Sequence, residues 1–187
     1  MTVTQTSTEA RIYVASLSHY NAGHLVGEWI TVSPWWDGED VMDEIQSVLD
    51  RAETHGPDVC GPVEEYAIHD FEGFPRAIYH EYMGREAFDA LAEFLRLQDE
   101  YGEAVGAYVE TFGHELDATD WRRDFEDRYA GTYDDRAAYG WHVAEMYDIP
   151  DAMRSYIDAE AIARDCELGG DIMFTRTVDG LAAFHAL

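Results

Sequence analysis

Lysine is absent from this chain. All twelve basic residues are Arg, and thirty-nine Asp and Glu leave a formal charge of −27 over 187 residues. The two cysteines, Cys60 and Cys166, have no CxxC spacing. That excludes a disulfide framework, and a reduced, cytoplasmic setting is the expectation. No apolar run approaches the roughly 18 residues that cross a bilayer. Residues 1–10 hold neither a basic stretch nor an apolar core, which predicts a flexible tail and not a signal peptide. A surface this anionic is repelled by nucleic acid and by anionic lipid, so neither is an expected partner. Catalytic signatures are equally scarce: GxSxG, Walker, HExxH and EF-hand patterns are all missing. The eight His are scattered, and neither a metal nor a cofactor is expected from them.

What is present is apolar material. Hydrophobic residues make up 47% and aromatics 13%, more than an acidic disordered chain carries. Nor is the charge confined to a tail: it is −12 over residues 1–82, −9 over 83–127 and −6 over 128–187. Like charges held along a folded chain destabilise it, so the surface points to a basic partner. Adaptation to high salt is another explanation, and GC-rich coding would also remove Lys. Five Trp, twelve Tyr and eight Phe speak against the lean composition of salt-adapted proteins.

Periodicity predicts an α+β chain in several parts. In the first, residues 11–82, strands are expected over Arg11–Ser16, Leu25–Val32 and Glu64–Phe71. A helix carrying Val41, Ile45, Val48, Leu49 and Ala52 falls between the last two. The second part, 83–127, is helical. Arg85–Tyr101 places Phe88, Leu91, Ala92 and Leu95 on one face, Ala104–Phe112 is a weaker helix, and Asp120–Tyr129 aligns Trp121, Phe125 and Tyr129. The third, 128–187, is α/β, with helices capped by Asp134 and Asp158 and strands near Ile172–Thr177 and Ala182–His185. Trp35-Trp36 is expected to pack over the sheet, an exposed contact patch being the alternative.

Acids recur at helical spacing. Glu86, Asp89, Glu93 and Glu100 share one face of the Arg85 helix, about 5–10 Å apart along its axis. Neighbouring DNA phosphates lie on the same scale. Asp117, Asp120, Asp124 and Asp127 repeat the theme. The plain reading of each row is a solvated face; their recurrence favours an anionic binding surface. Duplex DNA carries one charge per roughly 1.7 Å, so the net charge equals about 46 Å of duplex if all of it lay on one line. A carboxylate pair for acid–base catalysis stays open as the enzymatic alternative, a metal-dependent hydrolase, and so does an adaptor for another DNA-binding protein.

Two blocks carry a resemblance. Arg11 to Ile30 (RIYVASLSHYNAGHLVGEWI) and Glu64 to Phe74 (EEYAIHDFEGF) are similar to the opening segments of the ArdA antirestriction proteins. Phe125–Tyr133, Ser155–Asp165 and the glycine-flanked strand near Ile172 resemble later family features in the same order. The resemblance implies an elongated three-part protein that dimerises through its C-terminal part and occurs on mobile genetic elements. It also implies a non-enzymatic DNA mimic, one that fills the DNA-binding groove of type I restriction–modification enzymes and blocks cleavage and often methylation. The eight acids above are then the expected phosphate surrogates. Asp70 and Glu72 lie inside a family motif and are either partner-facing or structural.

Overall fold

A computed structural model describes residues 9–59, 61–113 and 121–186. Strand β1 (Arg11–Ser16) is central in the first sheet, antiparallel to β2 (Gly27–Thr31) and to β3 (Tyr66–Glu72). Alternation turns Ile12 and Val14 inward and leaves Tyr13 on the other face, edge-on to Trp29 at 5.6 Å. The last residue of the expected tail joins the first sheet. Ala10 is buried and its carbonyl accepts from Val32 N–H at 2.8 Å, while residues 1–8 lie outside the described ones.

Between the first two expected strands the chain first forms α1 (Leu17–Asn21). Buried His19 fastens it. The Nε2 of His19 lies 3.0 Å from the carbonyl of Pro57, which can only accept, so Nε2 donates and Nδ1 accepts from the Ser16 hydroxyl at 2.9 Å. Both residues are sealed from solvent, and the pair ties α1 to β1 and to the chain at Pro57.

Helix α2 (Gly38–His55) starts with a capping box: Asp37 accepts from the N–H groups of Glu39 and Asp40, and Asp40 accepts from that of Asp37. Its apolar side, Val41, Ile45, Val48 and Leu49, is buried. Helix α3 (Arg85–Tyr101) follows β3, then α4 (Ala104–Phe112) and α5 (Trp121–Arg128). The aromatic stripe suggests that α5 runs on through Tyr129. Instead the chain turns at that residue into β4 (Tyr129–Tyr133), where Gly131 takes φ 124° and the register shifts against its partner. After β4 come α6 (Arg136–Glu145), α7 (Asp151–Arg154), α8 (Ala159–Gly169), β5 (Ile172–Arg176) and β6 (Leu181–His185). The second sheet is antiparallel with order β4-β6-β5. Asp135, one residue beyond the expected Asp134, caps α6 through Ala138 N–H, and Asp158 caps α8 through Ala161 N–H.

The fold is thus mixed α+β, as the periodicity predicts. One buried cluster runs from Ala10 and Ile12 through Phe88, Phe94 and Phe125 to Phe184, so all three stretches of chain contribute to the same core. A smaller cluster of Tyr139, Ala163, Ile172 and Ala183 sits beneath α6 and α8. Among the described residues no helix is long and apolar enough to cross a membrane.

Helices α6 and α8 meet at Gly140. A Cβ built there would stand 1.8 Å from the carbonyl oxygen of Ala159. Ala is the better helix former by about 1 kcal/mol, yet that overlap forces the helices apart at a typical cost of about 1–3 kcal/mol. Gly140→Ala is therefore expected to lower the urea midpoint despite its gain in propensity.

Candidate partner-binding surface

The acids of α3 do not share one environment. Glu86 is exposed and forms no ion pair among the described residues. Asp89 is used as a cap: its Oδ1 accepts from Gly38 N–H at 2.6 Å, satisfying the first free donor of α2. Glu93 is half-buried and takes two guanidinium groups, Arg96 Nε at 2.9 Å and Arg122 Nε at 2.5 Å. Glu100 is exposed but bonded to Arg122 at 3.0 Å. The row is also narrower than the spacing suggests, because Phe94 and Leu97 beside it are fully buried.

Arg122 is the hub of this cluster. From α5 it reaches Glu93 and Glu100 on α3 and Glu126 one turn along its own helix. Three carboxylates hold its guanidinium charged well beyond the ordinary range, the hydrogen bond that Arg122 donates to Glu93 foremost. Burial pushes the Glu93 carboxyl up, but hydrogen bonds to Arg122 and Arg96 outweigh this and hold it below its ordinary 4.5. A depressed carboxyl adds stability above its unfolded pKa and loses it as pH falls through the folded value. The stability gap between wild type and Glu93→Gln should thus be about 1 kcal/mol at neutral pH, limited by the solvent around the cluster. Urea titrations should show it closing below pH 4.5, the ordinary value.

On α5, Asp124 is exposed, and Asp127 is exposed with Arg123 at 3.6 Å. Asp117 and Asp120 lie outside the described residues. Asp70 is exposed at the rim of β3, its Oδ1 accepting from Phe71 N–H at 2.9 Å. Glu72 faces Arg11 directly across the β1–β3 register and pairs with its guanidinium, which gives it a place in the sheet.

A row that the spacing of α3 does not reveal lies on α2. Glu39, Asp43, Asp50 and Glu53 recur on the side opposite Val41, Ile45 and Val48, separated by four, seven and three residues. All four are exposed. Asp43, Asp50 and Glu53 form no ion pair among the described residues, while Glu39 pairs with Arg85 at 3.0 Å. Several Arg side chains are taken up by contacts within the chain. Arg51 holds Glu28 and Glu44, Arg136 holds Glu167, and Arg76 lies over the Tyr79 ring at 4.4 Å. Arg85, Arg123, Arg164 and Arg176 stay exposed among the acids, so the outward surface is predominantly, not uniformly, negative. Among the described residues no three His, Cys, Asp or Glu side chains converge as a metal site would require.

The chain matches the family description "Antirestriction protein (ArdA)" over residues 12–178, nearly its whole length. It belongs to the ArdA antirestriction family. The match spans β1 through β5, so α2, α3 and α5, with their acids, all fall within the ArdA region. No curated protein matches the chain. Antirestriction is thus the general role of this ArdA chain, one that implies interaction with restriction–modification enzymes.

Proposed function

We propose that this protein inhibits type I restriction–modification enzymes by occupying the groove that binds DNA. Exposed acids on α2, α3 and α5 stand in for phosphates, and the Lys and Arg of the groove supply the opposite field. Cleavage, and methylation with it, is blocked because the DNA has nowhere to bind; the inhibitor performs no catalysis. The observation that carries this reading is the family match over residues 12–178, joined to the exposed acids of α2, α3 and α5. A homodimer formed through the C-terminal part would double the length of the anionic face.

The test is a titration of purified protein into a type I methyltransferase core holding labelled target DNA, at low and moderate salt. Near-stoichiometric displacement is expected, weakening as salt rises, with equimolar random-coil polyglutamate inert. No displacement at low salt would overturn the reading and leave another basic protein as the target.

A further inference from the structure

The paired tryptophans divide. Trp36 is half-buried and packs against the main core, whereas Trp35 is 80% exposed. Exposure alone says little, since single apolar side chains are common on surfaces. What sets Trp35 apart is the frame that holds it outward. Its own N–H donates to Ser33 Oγ at 3.2 Å, and Trp36 N–H donates to the Ser33 carbonyl at 3.1 Å. Arg96, on α3, donates to the Pro34 carbonyl at 3.0 Å. Two residues later Asp37 opens the capping box of α2. The backbone on both sides is therefore fixed to α2 and α3, and little loop freedom remains to be lost on binding.

The ring also stands next to the acids in the chain, with Asp37, Glu39 and Asp40 two to five residues on. A partner that meets this corner brings Arg and Lys, the groups that bind both carboxylates and the face of an indole. We infer that Trp35 is the apolar anchor of the anionic face, seated against basic side chains in the groove of a DNA-binding enzyme. Desolvated Trp residues are among the commonest energetic centres of protein interfaces. A purely acidic face attracts every basic groove alike, while a seated indole adds contact that salt does not screen. This inference rests on the groove-blocking reading above.

The experiment compares wild type, Trp35→Ala and Trp35→Phe in the same DNA-displacement titration at three salt concentrations, with a thermal melt of each. Trp35→Ala is expected to need about thirtyfold more protein at every salt concentration. Its plot of log affinity against log salt should run parallel to that of wild type. Trp35→Phe should recover most of the loss, and all three should melt together. Displacement by Trp35→Ala within twofold of wild type overturns the anchor, as does a loss that tracks a lowered melting midpoint. Absence of displacement by wild type overturns the groove reading itself, and the anchor with it.

Discussion

Phe125→Ala is expected to cost about 3–5 kcal/mol, the usual range for removing a buried Phe ring, read as a fall in the urea midpoint. The ring is fully buried. It stacks on Tyr129 at 5.0 Å and meets Tyr101 at 5.0 Å and Tyr108 at 5.3 Å edge-on, with Phe184 at 6.4 Å. Those partners belong to β4, α3, α4 and β6, so a single side chain seats α5 against four other elements. Typical domains are stable by only about 5–15 kcal/mol, and the loss is a large share of that. Arg122 lies one turn earlier on the same helix. Loosening α5 should therefore also release Glu93 and Glu100, and the depressed Glu93 carboxyl should return toward its ordinary value. A cost under about 1.5 kcal/mol would mean that the pocket closes over the gap, which the five-element contact argues against.

Replacing Asp43, Asp50, Glu53 and Glu86 together by their amides is expected to weaken DNA displacement by about 30- to 1000-fold. Each exposed pair contributes about 0.5–1 kcal/mol, and distant contributions add. Four of them give about 2–4 kcal/mol, converted to fold-change at 1.4 kcal/mol per tenfold. Each single change should stay within about fivefold. The quadruple variant should melt no lower than wild type, because four like charges have left a strongly anionic surface. Its affinity should also depend less steeply on salt. A single Glu→Gln change that abolished inhibition with the fold intact would be inconsistent with a distributed surface.

Much of this architecture is legible in the residues, and the exceptions have identifiable causes. The apolar spacing of α2 and α3 and the cap at Asp158 mark their helices because local chemistry and tertiary packing agree there. β4 is hidden: Trp121, Phe125 and Tyr129 continue one helical stripe, and only pairing with β6, some fifty residues on, turns Tyr129 into a strand. Helix α1 is five residues long, too short for periodicity to register. The site follows the same division. The acids of α3 can be read at their spacing, but nothing local says that Arg122 would arrive from α5 to engage Glu93, or that register would set Arg11 against Glu72. The row on α2 obeys the spacing rule that finds the α3 row, on a helix whose apolar face is the more conspicuous.

The centre strand of the second sheet is made after both of its neighbours. β4 and β5 leave the ribosome before β6. Until residues 181–185 emerge, those two strands face each other across a missing partner and the main core lacks Phe184. Unpaired strand edges are open to aggregation and to proteases. A nascent chain stalled before Leu181 is thus expected to be degraded, and synthesis past His185 closes the sheet and the core together.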